Sequence, residues 1–443
     1  MKKLNDYKDE IHRCSKCGLC QSVCPIYEET GNDCAVSRGK FIMLNGIIKG
    51  DLKLNKNINK YLDMCSKCNA CKNFCPSNID AREIFLAAKA EYFKKCPSSF
   101  FVKLFHSNFN LILNLVKPAS KTYRALKVDN LARKFYPLLL KMGWLGKKAI
   151  LANEFLTNNV VETEATTYTA NQNKAKTAKV IYFKGCVNEF INPRTKIAAE
   201  KILEKVGAEI LPITFQCCGV PFLSSGNVEQ FKKQALFNLS QIPDGIVDEI
   251  DYFLTDCASC QDAFKQYKNY LDDNNDDDKR LLEKLEKINS KSINIVEFVF
   301  KQVKTIEFEE KMKFTFHKPC HMEDTKFLKT FLNMAKNIEY IEMKDYDKCC
   351  GFAGEFAIKN INLSTKISSK KAQNIIKSKA DCVVTSCPAC ILGIKQGMIE
   401  TQESIPAINF IEFLSIANFK LNSEYENKDC NKNLLDAFVK KCF

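Results

Sequence analysis

Apolar and polar positions in the second half of the chain predict a strand–helix–strand unit that occurs twice. In the first copy, residues 179–183 form an apolar run typical of a buried strand, and residues 195–206 have the 3.6-residue periodicity of a helix. Residues 209–215 are again strand-like. This order predicts a small α/β domain whose functional side chains follow the ends of its strands.

The second copy repeats the same order further along the chain. Residues 313–316 predict a strand that leads to Cys320, and residues 340–343 predict a strand that leads to Cys349. Self-similarity of this kind indicates an internal repeat. We therefore expect a multidomain α+β protein that contains two tandem small α/β domains.

Cysteine is the residue type that changes this picture most. The chain has 443 residues and 23 cysteines, and a chain of that length can build its core without disulfides. The sequence shows neither a secretory signal nor an apolar run of about 20 residues, so we expect a cytoplasmic protein without a membrane span. In a reducing compartment, clustered thiols indicate metal binding.

Two copies of the pattern C-x-x-C-x-x-C-x-x-x-C-P lie near the N-terminus and match the bacterial 4Fe-4S ferredoxin run. Three cysteines of each run can bind one cluster, while the fourth, next to proline, reaches the neighbouring cluster. We assign Cys14, Cys17, Cys20 and Cys75 to cluster one, and Cys65, Cys68, Cys71 and Cys24 to cluster two. Residues 37–48, between the motifs, have a serine start and helical spacing, which favours an α-helical ferredoxin-like domain. A pair of structural zinc sites is the alternative.

Each repeated α/β unit carries a single cysteine, a Cys-Cys-Gly and a Cys-x-x-Cys, and we call these units CCG domains. The first CCG set is Cys186, Cys217, Cys218, Cys257 and Cys260, and the second is Cys320, Cys349, Cys350, Cys387 and Cys390. Adjacent cysteines can bind different irons of one larger cluster, and the glycine that follows permits the tight backbone needed there. His317 and His321 flank Cys320, where they either tune a cluster by hydrogen bonding or serve the structure alone.

Twin ferredoxin motifs followed by two CCG domains resemble the iron–sulfur subunit family of glycolate oxidase. Relatives of that family include lactate-utilisation proteins, the iron–sulfur subunit of anaerobic glycerol-3-phosphate dehydrogenase, and heterodisulfide reductase. Residues 350–354 and 380–385 are similar to the second CCG domain of the glycolate and lactate members. The resemblance covers nearly the whole chain except the basic middle segment and the C-terminal tail. It implies two 4Fe-4S clusters and leaves open one or two further, noncubane 4Fe-4S clusters in the CCG domains.

The resemblance also implies a function. It indicates an electron-transfer subunit of a flavin-dependent 2-hydroxy-acid oxidoreductase, with glycolate as the first substrate and lactate as the second. No G-x-G-x-x-G, P-loop or nucleophile–base pair is present, so we assign no catalytic residue and expect FAD on a partner dehydrogenase subunit. Electrons would pass toward membrane quinone or a quinone-reactive protein. The alternatives are thiol/disulfide redox at a CCG-domain cluster, the iron–sulfur subunit of glycerol-3-phosphate dehydrogenase, and a metal-stabilised scaffold without redox turnover.

Positive charge is concentrated in one segment. The net charge is +14, but only seven of the 66 basic residues are arginine, and we expect no nucleic-acid partner. Residues 94–150 hold twelve basic residues and one acidic residue, residues 100–116 predict an amphipathic helix, and residues 138–145 include the only tryptophan, Trp144. Residues 100–148 therefore suit either peripheral contact with anionic lipid at the inner face of the cytoplasmic membrane or packing on the flavoprotein or the CCG domains.

These observations give the expected domain boundaries. They are 1–98 for the helical domain with both ferredoxin motifs, 99–156 for a basic helical connector, 157–178 for a linker, 179–303 for the first CCG domain, and 304–443 for the second CCG domain with the C-terminal tail.

Overall fold

The computed structural model describes residues 2–96, 128–157, 178–272 and 275–421, with isolated positions between 100 and 126. In residues 2–96 the regular elements are helices: α1 Lys8–His12, α2 Leu19–Ser22, α3 Pro25–Thr30, α4 Ser37–Lys49, α5 Lys56–Asp63, α6 Ala70–Asn73 and α7 Ala81–Lys95, with 3-10 turns at Leu4–Tyr7 and Asp33–Ala35. The helix expected over residues 37–48 is present as α4. It ends at Gly50, whose φ of 86° is left-handed, as is common after the last turn of a helix.

Helix α7 is the longest helix of this N-terminal part, and α4 packs against it. It begins after Asp80, whose side chain accepts a hydrogen bond from the backbone N–H of Glu83. Ile84 and Phe85 of α7 are buried, and the ring centroid of Phe85 lies 5.4 Å from that of Phe41 on α4. Burying one such side chain contributes about 2 kcal/mol. Packing of α7 on α4 therefore stabilises the elements beneath the cysteine loops.

The described part of the connector consists of α8 Val128–Lys134, α9 Tyr136–Lys141 and α10 Trp144–Thr157. The Lys147 ammonium on α10 lies 2.6 Å from a Glu400 carboxylate oxygen of the second CCG domain. The amphipathic helix expected over residues 100–116 lies outside the described residues except at isolated positions, and so do residues 158–177 of the linker and the tail beyond residue 421. Among the described residues, no helix has both the length and the apolar character that a membrane crossing requires.

The first CCG domain is built on a parallel four-stranded sheet with the order β2-β1-β3-β4. Its strands are β1 Ala178–Phe183, β2 Ala208–Ile210, β3 Tyr252–Thr255 and β4 Ser292–Asn294, and its helices are α11 Cys186–Phe190, α12 Pro193–Lys205, α13 Val220–Ser225, α14 Val228–Ser240, α15 Ile246–Glu249, α16 Ala258–Tyr267, α17 Asp276–Ser290 and α18 Ile295–Gln302. The strand expected over residues 209–215 is wrong in extent. Leu211 still donates to the Val180 carbonyl, but Pro212 has no N–H to continue the ladder.

The second CCG domain repeats this strand order as β6-β5-β7-β8, and an added strand, β9, lies antiparallel to β5. Its strands are β5 Val303–Phe316, β6 Ala335–Tyr340, β7 Cys382–Thr385, β8 Ala407–Asn409 and β9 Asn418–Leu421, and its helices are α19 Lys326–Met334, α20 Glu355–Lys359, α21 Ile361–Ser378, α22 Pro388–Thr401 and α23 Phe410–Ser415. The strand expected over residues 340–343 is wrong in position, because β6 ends at Tyr340. β6 is an edge strand with half-exposed residues, so it carries little apolar signal.

The two CCG domains share one hydrophobic core. Tyr182 on β1 and Leu254 on β3 belong to the same buried group as Phe316 on β5 and Phe410 on α23. Aromatic rings account for much of this core, and such pairs add about 1 kcal/mol each beyond their buried area. The tandem domains therefore pack as one unit rather than as separate bodies joined by a flexible segment.

Candidate metal centres

The four cysteines assigned to cluster one line one cavity. Cys14, Cys17 and Cys20 come from the first ferredoxin motif, and Cys75 comes from the second. Arg38 also lines this cavity, and its lining residues include no acidic or histidine side chain. Four thiols beside a guanidinium group fit an anionic iron–sulfur cluster.

The four cysteines assigned to cluster two line a second cavity. Cys65, Cys68 and Cys71 come from the second motif, and Cys24 comes from the first. Cys71 lines both cavities. Burial raises the pKa of the Cys71 thiol to about 12, so a metal must displace its proton on binding. Lys40, another lining residue, adds positive charge near these thiols.

The two ferredoxin motifs bend in the same way, which explains why each contributes three thiols to one cavity. Lys16 and Lys67 occupy equivalent positions and have left-handed φ angles of 59° and 58°. Two residues later, Gly18 and Asn69 are left-handed as well, with φ angles of 86° and 62°. These turns reverse the chain between successive cysteines, and the short helices α2 and α6 follow directly.

In the first CCG domain, the loops after parallel strands bring the five cysteines together. Cys186 follows β1, Cys257 and Cys260 follow β3, and Cys217 and Cys218 lie between β2 and α13. The Sγ atoms of Cys186 and Cys217 are 3.4 Å apart. Hydrogen bonds from the Cys217 and Cys260 thiols hold the pKa of Cys218 well below its ordinary value. These hydrogen bonds favour the thiolate form of Cys218, and a thiolate is the form that binds metal.

The second CCG domain places its cysteines at the corresponding loops. Cys320 follows β5, Cys349 and Cys350 follow β6, and Cys387 and Cys390 follow β7. The Sγ atoms of Cys350 and Cys390 are 3.3 Å apart. Hydrogen bonds from the Cys320 and Cys350 thiols hold the pKa of Cys349 well below its ordinary value. In each set, hydrogen bonds thus favour the thiolate form of one member of the adjacent pair.

The two CCG sets meet at the boundary between their domains. The Cys257 thiol of the first set donates a hydrogen bond to the Cys387 sulfur of the second, which lowers the pKa of Cys387. Ser259 Oγ lies 3.7 Å from the same sulfur. The backbone N–H of Ala258 donates to the Ser386 carbonyl over 3.0 Å, which fixes the two loops against each other.

The second CCG set also touches the second ferredoxin motif. Ser66 donates a side-chain hydrogen bond to Cys349. Burial raises the pKa of the Cys68 thiol far above its ordinary value, and the negative charge of Cys349 raises it further. Together with the Cys257–Cys387 contact, this arrangement gives a continuous series of candidate ligands from the ferredoxin motifs through the second CCG set to the first.

Comparison with known proteins agrees with this division of the chain. Residues 10–79 match the family model of a 4Fe-4S dicluster domain, and residues 180–265 and 314–395 match that of the cysteine-rich CCG domain. A probable glycolate oxidase iron-sulfur subunit of Bacillus subtilis is 24% identical over 418 residues, which cover 89% of this chain and 91% of that protein. The chain is a homologue of glycolate oxidase iron–sulfur subunits. Every candidate ligand cysteine of the chain lies inside the three matched segments.

The chain is also similar to lactate utilization protein A of Macrococcus caseolyticus. The identity is 26% over 246 residues, which cover 54% of this chain and 96% of that protein. Among solved structures, a hypothetical protein from Helicobacter pylori aligns with a TM-score of 0.50 and 11% identity over 90% of this chain and 69% of that chain. At this identity the likeness shows the fold alone.

Two histidines of the chain, His317 and His321, lie among the candidate ligand cysteines and the loops that carry them. His317 is fully buried, and burial lowers its pKa to about 3, so its ring is neutral. His321 Nδ1 lies 3.1 Å from Ser259 Oγ of the first CCG domain, and Nε2 lies 3.4 Å from the Lys67 carbonyl of the second ferredoxin motif. Their positions beside Cys320 were the only signal in the sequence. Ser66 and Ser259 carried none beyond their places inside C-x-x-C motifs.

A buried ion network holds the three cysteine-bearing domains of the chain together. The Lys89 ammonium on α7 lies 2.6 Å from Asp63, 3.1 Å from Glu355 of the second CCG domain, and 2.7 Å from the Ser224 carbonyl of the first. Lys359 pairs with the same carboxylates at 3.0 Å and 2.7 Å. Burial raises the pKa of Asp63, but the two ammonium groups lower it by more, so the net shift is downward.

Proposed function

We propose that this chain is the iron–sulfur electron-transfer subunit of a flavin-dependent 2-hydroxy-acid oxidoreductase. The continuous series of candidate ligands is the observation that carries the proposal. A partner dehydrogenase subunit holds FAD and oxidises the acid, and this chain, which contributes no catalytic residue, passes electrons toward membrane quinone or a quinone-reactive protein. Glycolate is the first substrate to test and lactate the second, because the relatives carry those names.

Four ligand sets are proposed for metal binding. Cys14, Cys17, Cys20 and Cys75 hold one 4Fe-4S cluster, and Cys65, Cys68, Cys71 and Cys24 hold the other. The two CCG sets hold one or two further, noncubane 4Fe-4S clusters. Bound clusters of this kind accept and release single electrons. The chain supplies the thiolates and keeps water away, and burial of Cys218, Cys257 and Cys387 supports that role.

Contacts between the sets support one order along the chain. Cys68 of the second ferredoxin set faces Cys349 of the second CCG set, and Cys387 of that set faces Cys257 of the first CCG set. The proposed order is therefore ferredoxin set one, ferredoxin set two, second CCG set, first CCG set. The charge interaction between Cys68 and Cys349 and the hydrogen bond between Cys257 and Cys387 favour this order over a direct link from the ferredoxin sets to the first CCG set.

Substitution of Cys68 tests the function. Wild-type, Cys68→Ser and Cys34→Ser chains are purified anaerobically with the flavoprotein partner and assayed with glycolate and lactate. Cys68→Ser should lose the paramagnetic signal of cluster two and the reduction of a quinone analogue, while the partner still reduces an artificial dye. Cys34→Ser changes a cysteine outside the motifs and should keep both activities. Undiminished quinone-linked activity in Cys68→Ser would refute the proposal.

Exposed apolar side chains on α8–α10 support a peripheral membrane contact within residues 100–148. Phe135, Leu138 and Trp144 are 50%, 58% and 56% exposed. The Lys148 ammonium lies 5.0 Å from the Trp144 ring centroid, so cationic and apolar groups alternate on this surface. We place it on anionic lipid at the cytoplasmic face of the membrane. Flotation with anionic but not with neutral vesicles at low salt is expected. No flotation would refute the membrane contact and leave packing on the flavoprotein or on the CCG domains.

Disulfide reduction at a CCG site is the second candidate function. The meeting of both CCG sets at Cys257 and Cys387 favours it, because a disulfide placed there would contact both sets at once. New paramagnetic signals on adding an oxidant and candidate thiols would support this function. Glycerol 3-phosphate belongs in the same substrate screen, since oxidation of that compound alone would identify the chain as the iron–sulfur subunit of a glycerol-3-phosphate dehydrogenase.

A further inference from the structure

His317 is a buried side chain beside the second CCG set that the proposed ligand sets leave unused. One of its ring nitrogens and the Sγ atoms of Cys350 and Cys390 all lie within 4.8 Å of one another. Nδ1 lies 3.2 Å from the Tyr346 carbonyl oxygen. A carbonyl oxygen only accepts, so Nδ1 carries the ring proton and Nε2 has a free lone pair. Nε2 is buried, and no described residue hydrogen-bonds to it.

We propose that Nε2 of His317 and the sulfurs of Cys350 and Cys390 bind one metal ion at the second CCG site. This inference rests on the proposed metal binding there. A metal ion would be the partner that Nε2 lacks. The hydrogen bond from Nδ1 to a backbone carbonyl is the second contact that metal-binding histidines typically make, because it fixes both the tautomer and the orientation of the ring. Mixed nitrogen and sulfur donors suit iron, the metal of the clusters proposed for this site.

The first CCG site has no counterpart of this nitrogen. His317 stands three residues before Cys320, whereas Phe183 stands three residues before Cys186. The Phe183 ring packs on Phe264 with a centroid distance of 4.9 Å, and a phenylalanine ring offers no metal donor. The two sites therefore match in their five cysteines and differ at this position. A neutral imidazole donor raises the reduction potential of an iron–sulfur centre, so we expect the second site to have the higher potential.

Pulsed electron paramagnetic resonance on the full chain, isolated anaerobically with its metals, tests the inference. The chain has four histidines, so a histidine nitrogen coupling can be assigned by ¹⁵N-histidine labelling and single substitutions. Wild-type protein should show such a coupling, and His317→Phe, which introduces the residue found in the first domain, should lose it. Because His317 is fully buried, His317→Gln and His317→Cys are made alongside. His317→Cys should keep the metal content and lose the nitrogen coupling.

His321→Phe is the matched control. His321 adjoins Cys320, but both of its ring nitrogens already face Ser259 and Lys67, so its removal should leave the coupling in place. A metal-loaded second CCG site without a histidine coupling would overturn the inference and leave the proposed function standing. About eight irons per chain in the wild-type protein would be accounted for by the two 4Fe-4S ferredoxin clusters alone. That result would show an empty CCG site and overturn the inference together with the CCG part of the proposed function, but not the ferredoxin part.

Discussion

Replacing Lys89 with methionine should destabilise the whole protein, because this ammonium group joins three domains. Lys89 is only 2% exposed and faces two carboxylates and a backbone carbonyl. Methionine keeps most of the aliphatic stem, so the loss reports mainly on charge. Breaking a buried ion pair by removing one partner costs about 3–5 kcal/mol. Lys359 remains paired with both Asp63 and Glu355, so we expect the lower end, about 3 kcal/mol.

Urea unfolding of the anaerobic full chain, followed by circular dichroism and by visible absorbance, measures this loss. Lys287→Met is the matched control, because Lys287 pairs with Asp248 at 2.7 Å but is 54% exposed. Exposed pairs contribute little to stability, so the control should unfold close to wild type. Equal losses in the two variants would show that the network does not hold the domains together. An unchanged midpoint in Lys89→Met would refute the reasoning altogether.

Three further predictions follow from the same geometry. Cys24→Ser should remove the paramagnetic signal of cluster two, and Cys75→Ser should remove that of cluster one. Loss of cluster one in Cys24→Ser and of cluster two in Cys75→Ser would contradict the assignment of each fourth cysteine to the other motif's cluster. Gly219→Ala should cost more stability than Gly245→Ala in thermal unfolding. Both glycines are left-handed, at φ 89° and 83°, and backbone strain costs about 1–2 kcal/mol at either. Of the two, only Gly219 has a neighbour that an added Cβ would meet, a ring atom of Phe231 at 2.7 Å. Equal losses would count against the close packing. Stability should fall in acid, because the pKa of Asp63 is lowered in the folded protein. The contribution of Asp63 to the free energy of unfolding is complete above its ordinary pKa of about 4 and is lost as the pH drops through the lower folded pKa. Lys89→Met should flatten that part of the pH profile of stability.

Local sequence determined the ligand motifs and most of the repeated α/β pattern. Spacing alone indicated that Cys24 and Cys75 leave their own motifs, and the structure places each of them beside the other motif. Helix α4 was predictable because one face of it is buried, which leaves a periodic signal. Strand β1 was predictable because nearly all of its residues are buried, which leaves a continuous apolar run. Strand β6 was not, because an edge strand with half-exposed residues leaves almost none.

Tertiary structure alone decided how the metal centres meet. Cys68 and Cys349 come from different domains, as do Cys257 and Cys387, and no spacing rule relates residues that far apart in the chain. The role we infer for His317 depends on which carbonyl faces Nδ1 and which thiols lie near the ring. Motif spacing reports what neighbouring residues can bind. Contacts between motifs depend on how the shared core and the Lys89 network pack the domains, and packing of that kind leaves no periodic trace in the sequence.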